Sequence, residues 1–299
     1  MTLDKKYVLG KDVKILIVGL GMIGGSYASA LTKQGYDVSA ITRSPETVEY
    51  ALSRGMIARG ASTPDPELIS GADLIVIALY PHTVAPWISE NQKYFKSGAF
   101  ITDVTGVKGS VVGAVQSVLR PDCEFIASHP MAGREKSGIK YSDDSIFRVA
   151  NYIVVPTEKN TPEGIEVARA LGETLGFAAI STLSPDEHDE MIAFLSQLTH
   201  CIAVSLMCSN GDPEIARYTG DSFRDLTRIA KINDEMWSEL FIANKEKLLR
   251  KMDVFLENFE ALRGALANED REKMREMMRT STTRREAFDK QQISRGKKS

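Results

Sequence analysis

The sequence predicts an α/β protein in two parts, with a doubly wound, mainly parallel sheet over residues 1–183 followed by an all-α domain over residues 184–299. Three observations carry this. Apolar, β-branched runs alternate with helix-length segments in the first part, a GxGxxG triplet directly follows the first run, and the strand signal stops at Ser184.

Taken in order, strands are expected at "VKILIVG" (13–19), "DVSAIT" (37–42), "DLIVIAL" (73–79), "AFITDVT" (99–105), "EFIASH" (124–129), "NYIVVP" (151–156) and "FAAIST" (177–182). Most are continuous apolar runs, the pattern of strands buried on both faces. The segments between them are long enough for right-handed helical crossovers, which make neighbouring strands parallel. After Ser184, "SPDEHDEMIAFLSQLTHCIAVSLMCSN" opens with a serine cap, a proline and acids in the first turn. Each suits the exposed amides and positive end of a helix, so a helix starts near residue 185. A second long helix is expected from about Asp234 to Leu266 and a third over "DREKMREMMRTSTTRREAF", with the tail "QQISRGKKS" frayed and solvated. These helices carry more Leu, Ile, Met and Phe than three or four helices hide among themselves, so pairing between two copies is expected.

Composition excludes several classes. With 299 residues, 43% apolar and 26% charged, the chain is neither disordered nor fibrous and is long enough for two cores. A net charge of −3 with interspersed signs gives no basic field for nucleic acid or a membrane surface, so a small-molecule partner is expected. Cys123, Cys201 and Cys208 form no CxxC pair, and no His/Asp/Glu cluster has ligand spacing such as HExxH. Neither a disulfide framework nor a metal site is expected, and a reducing cytoplasm fits. The first residues, "MTLDKKYVLGKDVK", lack the apolar core of a signal peptide, and no run approaches the roughly 18 apolar residues that span a bilayer.

The motif "GLGMIGG" supplies Gly19, Gly21, Met22, Ile23 and Gly24 where a strand passes into a helix. There the first glycine makes the tight turn, the second admits a pyrophosphate, and the third lets helix and strand approach, with helix-start amides on the phosphates. A glycine-rich turn without a ligand is the alternative. The context makes the first domain Rossmann-type, with a nicotinamide dinucleotide as cofactor. NAD sites usually end the second strand on a carboxylate that binds the ribose 2′-hydroxyl. Here Thr42, Arg43 and Ser44 stand in that place, and a guanidinium with two hydroxyls suits a 2′-phosphate. NADP is therefore expected ahead of NAD, which stays open if Arg43 only stacks on adenine.

Three successive strand ends aim polar groups at one edge: His82, then Asp103, Thr105 and Lys108, then His129. His82 is either a loop residue near the cofactor or a participant, and Lys108 is read as solvated at a helix start. His129 lies in "FIASHPMAGREKSG", where Pro130 keeps it out of helical conformation and Gly133 permits a sharp turn. A neutral imidazole with a pKa of about 6.5 accepts protons at neutral pH. The alternative is a packed strand-end histidine. His188 and His200, twelve apart on one predicted helix, lie roughly 120° apart around it. Arg224 and Arg228 share a helix face and suit an anionic partner, unless Arg224 pairs with Asp221 or Asp225.

With these residues in view, the chain resembles the TyrA family, the prephenate and arogenate dehydrogenases of tyrosine biosynthesis. "GLGMIGGS", "TDVTGVKG", "SHPMAGRE", "SPDEHD", "LSQLTH" and "FRDLTRIA" occur in the family's order and approximate spacing over nearly the whole chain. The resemblance implies a dinucleotide-binding domain, a helical dimerisation domain and an active site in the cleft between them. It also implies oxidative decarboxylation of prephenate to 4-hydroxyphenylpyruvate. Hydride passes from the carbinol carbon to the nicotinamide, the 4-hydroxyl gives up its proton, and CO2 leaves as the ring becomes aromatic. Arogenate, with an amine for the keto group, is the alternative substrate. A β-hydroxyacid dehydrogenase or imine reductase would rely on a lysine or aspartate in the first helix of the second domain, where no lysine stands, and a catalytically dead cofactor sensor would not need the residues that follow.

Carried over residue by residue, His129 hydrogen-bonds the 4-hydroxyl, Glu135 gates or orients the site, and His200 and Arg228 handle substrate carboxylates. His188 is read as structural, and Asp103 is placed with the cofactor-binding residues. Where many members carry a serine facing the substrate hydroxyl, this chain has Gly106, with Thr105 beside it as a substitute catalytic hydroxyl or a water in the gap. The chain ends before the place of the ACT domain that some members append, so any feedback inhibition is expected at the active site.

Overall fold

The structure, a computed structural model, describes residues 8–133 and 136–296. Contacts divide the chain into two compact units, Met1–Lys245 and Glu246–Ser299.

The first unit begins with alternating strands and helices: β1 (Lys14–Val18), α1 (Met22–Lys33), β2 (Asp37–Ile41), α2 (Pro45–Ser53), β3 (Arg59–Ala61), α3 (Pro66–Ser70), β4 (Leu74–Ile77), α4 (Pro81–Asn91), β5 (Phe100–Asp103), α5 (Gly109–Val118) and β6 (Glu124–Phe125). The strands form one six-stranded sheet in the order β3-β2-β1-β4-β5-β6, all parallel. Leu16, Ile17, Ile75, Val76, Ile77 and Ile101 are fully buried, which accounts for continuous rather than alternating apolar runs. Register matters for the site. Val18 lies beside both Ile41 and Ile77, and Ile77 lies beside Asp103, so the carboxyl ends of β2, β1, β4 and β5 come level along one edge.

The remaining strands build a second sheet. In β7 (Ala127–Pro130), β8 (Asn151–Val155) and β9 (Ala179–Thr182), with α6 (Pro162–Leu175) before the last, β7 runs antiparallel to β8 and β8 parallel to β9. The expected single strand 124–129 is thus two strands in different sheets, joined through the buried Ile126. Its apolar run conceals the break because both halves are buried. β3, "RGA", was absent from the expected strands because it carries no β-branched residue.

The helices that follow are α7 (Pro185–Ile192), a π-helical turn at Ala193–Leu198, α8 (Thr199–Cys208), α9 (Asp221–Thr227) and α10 (Asp234–Ala243). The α7 start matches expectation. Ser184 and Glu187 form a capping box with Pro185 in the first turn. Two expected continuous helices are interrupted. The π turn re-phases the chain between His188 and His200, so a uniform 100° per residue does not apply. The second helix breaks at Asn244, whose buried amide donates to Asp189 O and Gln197 Oε1, both at 2.8 Å. The run Pro185–Cys208 is long and apolar enough by length and composition to cross a membrane, contrary to the expected absence of such a run. A count of unbroken apolar residues missed it because polar residues interrupt it, and three of these, His188, Asp189 and Gln197, are buried in the fold.

In the second unit, α11 continues from Lys245 to Ala267, and α12 (Arg271–Gly296) follows a turn in which Glu269 takes φ 54°. Most of the tail expected to fray is helical backbone. Leu249, Val254, Leu256, Phe259, Leu262 and Leu266 of α11 are exposed in the single chain.

Candidate active site

The glycine turn is built for close approach. Gly19, at the end of β1, has φ +96°, and a Cβ there would stand 2.3 Å from Ala78 O. A Cβ on Gly24 would stand 2.0 Å from Gly19 O, so the first turn of α1 can sit against the strand end only with glycine at both places. Gly21 differs. A Cβ there meets no protein atom within 4 Å, so the fold leaves open space at the helix start. No side chain caps α1 and no acid occupies its first turn, which leaves the amides of Met22, Ile23 and Gly24 for an anion. Open space beside uncapped amides fits a dinucleotide pyrophosphate.

Beside it, Thr42 Oγ1 accepts a 3.4 Å hydrogen bond from Leu20 N, and Ser44 caps α2. The Ser44 hydroxyl also donates to Glu46 at 2.6 Å, which holds the Glu46 carboxyl below its usual range. Exposed Arg43 is therefore the group among the three with a side chain not drawn into the loop, and Glu46 adds a carboxylate that the sequence reading did not weigh.

Asp103 and Thr105 take different places from those expected. The fully buried Asp103 carboxylate receives Lys108 Nζ at 2.6 Å, Thr105 N at 3.0 Å and Ser128 N at 3.3 Å, together with the Thr105 hydroxyl. It pairs with Lys108 inside the fold, where an unpaired ammonium would be untenable. The Thr105 hydroxyl is drawn into the same buried group, near Val107 O. Lys108, read as solvated, is 0% exposed, and burial lowers its pKa against the opposing pull of Asp103.

His129 sits on β7, opposite Ile153. Its Nδ1 lies 2.8 Å from His188 Nε2, and His188 Nδ1 lies 2.7 Å from Asp189 Oδ1. The Asp189 carboxylate accepts from Lys108 N and Gly109 N, each at 2.8 Å, at the start of α5. Burial would raise the Asp189 carboxyl, but hydrogen bonds from His188 and these amides bring it below its ordinary value. Burial lowers His188, with Asp189 opposing. Burial, then His188 and Lys108, holds His129 well below the ordinary imidazole range. The His129 ring thus stays neutral at neutral pH. Its Nε2 faces Gly106, where a Cβ would lie 3.9 Å away and 3.4 Å from Leu240.

α10 joins this group to the helical side. Three residues before Leu240 on the same helix, Trp237 stacks on His200 with ring centroids 3.7 Å apart. His200 Nδ1 lies 2.8 Å from Ser196 O. The turn Arg228–Ala230 packs on α8, which carries His200, and Arg228 is exposed. Glu239 of α10 accepts from His82 N at 2.6 Å and meets its Nδ1 at 2.8 Å, so His82 serves as a contact between the sheet edge and α10. Arg224 pairs with Asp221, the structural alternative, and donates to Thr219 O. Glu135 lies outside the described residues.

The sequence reading missed the partners: His188 and Asp189 as the support of His129, and Trp237 and Leu240 as the link across α10. The adjacent His188 and Asp189 were the available signal for the first pair. The second had none, because "MWSELF" reads as an ordinary amphipathic helix.

Comparison with known proteins agrees with this arrangement. Residues 27–180 match the family model described as the prephenate dehydrogenase nucleotide-binding domain, and residues 184–280 match the prephenate dehydrogenase dimerization domain. A prephenate dehydrogenase of Bacillus subtilis is 30% identical over 92% of this chain and 76% of its own length. A cyclohexadienyl dehydrogenase of Zymomonas mobilis is 28% identical over 92% of this chain and 95% of its own. The solved structure of an A. aeolicus prephenate dehydrogenase in complex with hydroxyphenyl propionate and NAD+ superposes with a TM-score of 0.83 at 27% identity, covering 92% of this chain and 98% of that one. From matches that run through both domains and a glycine turn shaped for a dinucleotide, it follows that the chain belongs to the prephenate dehydrogenase family and is a nicotinamide-dependent oxidoreductase.

Proposed function

We propose that the chain converts prephenate to 4-hydroxyphenylpyruvate by oxidative decarboxylation, with NADP+ as the hydride acceptor. The observation that carries this is the geometry of His129, whose Nδ1 meets His188 while its Nε2 is the ring nitrogen on the Gly106 side. In this reading Nε2 accepts the proton of the substrate 4-hydroxyl as hydride leaves, and returns it to the same oxygen when the electron pair of the departing CO2 makes the ring aromatic, which gives the phenol of the product. The substrate ring is assigned to the Gly106 side of His129, and His200 and Arg228 are assigned to the carboxylates. The amides of Met22, Ile23 and Gly24 hold the pyrophosphate, and the bound nicotinamide takes the hydride. Glu135 is assigned the role of orienting or gating the substrate.

Arg43 supports NADP+ because no other cation follows β2 where a 2′-phosphate would lie. The NAD reading draws on Glu46, a carboxylate able to accept from a ribose hydroxyl. We assign residues 1–183 to the cofactor domain and 184–299 to a substrate and dimerisation domain. The exposed apolar residues of α11 and the partly exposed helix Pro185–Cys208 favour a homodimer, in the cytoplasm.

Light scattering on the purified chain is expected to give the mass of a dimer, and a monomer at micromolar concentration would overturn that assignment. In assays pairing prephenate or arogenate with NADP+ or NAD+, turnover is expected to be highest with prephenate and NADP+. Arg43→Ala should erode the cofactor preference by about 10-fold, because charge-assisted phosphate bonds contribute about 1.5–3 kcal/mol. An equal or lower KM for NAD+ in the unsubstituted protein would favour the Glu46 reading instead.

Arg228→Ala should raise the substrate KM about 10- to 100-fold with cofactor affinity unchanged, the range for a charge-assisted bond at an exposed side chain. An unaltered KM would remove Arg228 from the site. His129→Asn should keep the fold and cofactor binding but lower kcat about 10²–10⁴-fold. In the unsubstituted protein kcat should fall at acid pH, since imidazolium cannot accept the proton, and that limb should lie below the ordinary imidazole value of about 6.5. A near-normal kcat in a folded His129→Asn protein would refute the role of base.

A further inference from the structure

The line His129, His188, Asp189 is a chain of hydrogen bonds, part-buried at His129 and buried at His188 and Asp189, whose direction is forced. An ionised carboxylate only accepts hydrogen bonds. Asp189 lies 2.7 Å from His188 Nδ1, so Nδ1 carries the proton of a neutral His188 and Nε2 carries the lone pair. Nε2 in turn lies 2.8 Å from His129 Nδ1. Two facing lone pairs would repel, so His129 Nδ1 donates. The lone pair of His129 is then left on Nε2, the nitrogen that faces Gly106.

We propose that His188, itself oriented by Asp189, is a positioning residue that fixes the tautomer of His129 and keeps its Nε2 free to accept a proton. The proposal rests on His129 being the base, although the tautomer exists without substrate. An imidazole with no partner at Nδ1 divides between two tautomers, and only one of them can act here. The line also fixes the plane of the ring, since His188 is fully buried and meets His129 at 60° between rings with centroids 5.0 Å apart. After proton capture His129 would still donate from Nδ1, so the same contact holds the ring through the change of charge.

The charged groups around the line come from two segments. Asp103 and Lys108 face it from the end of β5 and the start of α5, and Asp189 faces it from α7. The Lys108 ammonium works against a charged His129 and a charged His188, whereas Asp103 and Asp189 favour a proton on His188. The resting arrangement is two neutral rings beside one ionised carboxylate.

The chain has four histidines, so nitrogen-15 NMR of histidine-labelled protein can resolve each ring. At neutral pH, His129 and His188 are both expected as the Nδ1–H tautomer, with signals assigned by loss in His129→Asn and His188→Gln. His188→Leu should lower kcat about 100-fold, the scale of losing a correctly poised base, with cofactor affinity kept and His129 spread over both tautomers. His188→Gln can place its amide oxygen where Nε2 stood. It should recover at least about 10-fold of that loss and restore the Nδ1–H form of His129. A merely structural His188 predicts instead that both variants lose stability and activity together, with no rescue by glutamine. A wild-type kcat in a folded His188→Leu protein would overturn the proposal. If that variant does not fold, the tautomer in the unsubstituted protein decides alone, and His129 as Nε2–H would overturn it. Full activity in His129→Asn would defeat the role of base while leaving the tautomer measurement standing, so the two failures are distinguishable.

Discussion

A carboxylate taken out of water must be surrounded by donors, and the placement of Asp189 follows from meeting that requirement. Its two oxygens accept from the first amides of α5, which form the positive end of a helix, and from His188 of its own helix. Its backbone carbonyl accepts from Asn244 at the end of α10, and the Asn244 amide also donates to Gln197 in the π turn. Gln197 then donates to Leu240 O. One buried residue thus ties the cofactor-domain helix that starts beside the sheet edge to three helical segments, and each tie is a polar bond that only one registration of these elements can make. Apolar packing would tolerate sliding. These bonds do not, because a slipped register leaves a buried charge unpaired.

The second buried charge, Lys108 with Asp103, lies under the same strand ends. A fully buried ion pair is weak support for stability, since desolvation consumes most of the attraction. Its value here is directional. Asp103 draws in the Thr105 hydroxyl and the Ser128 amide, so the end of β5 is fixed against the start of β7, which carries His129 two residues later. The ammonium also opposes a positive charge on His129. Position and charge of His129 are therefore influenced by the same few atoms.

Most of the sheet was legible in the sequence because buried parallel strands announce themselves as continuous apolar runs, and the start of α7 was legible because proline, serine and glutamate each have a physical reason to stand there. Gly19 and Gly24 were legible for the same reason, since no other residue fits the approach of α1 to the strand. What escaped had no local signature. The break between β6 and β7 lies inside one apolar run, and the break at Asn244 lies inside one amphipathic pattern. Both are decided by partners distant in sequence. Asp103 and Thr105 stand where a strand end usually meets a ligand, and their inward turn depends on Lys108, a residue whose type argues for solvent. His129 could be singled out from its proline and glycine neighbours, but its protonation state could not, because that is a property of burial and of His188.

Keeping two imidazoles neutral inside the fold has a thermodynamic consequence whose sign can be worked through. Both His129 and His188 have lowered pKa values, His129 strongly so. Below the unfolded value of about 6.5, the unfolded chain binds protons that the folded chain refuses, so stability falls with decreasing pH by up to about 1.4 kcal/mol per pH unit for each group. That stability is fully present above about pH 6.5, and the loss continues until the pH reaches the folded pKa. The pH that would protonate His129 therefore also weakens the elements that hold it. Throughout the range in which this part of the fold is at full strength, His129 is neutral, and its contact with His188 then sets the plane of the ring and the direction of its hydrogen bond rather than its charge.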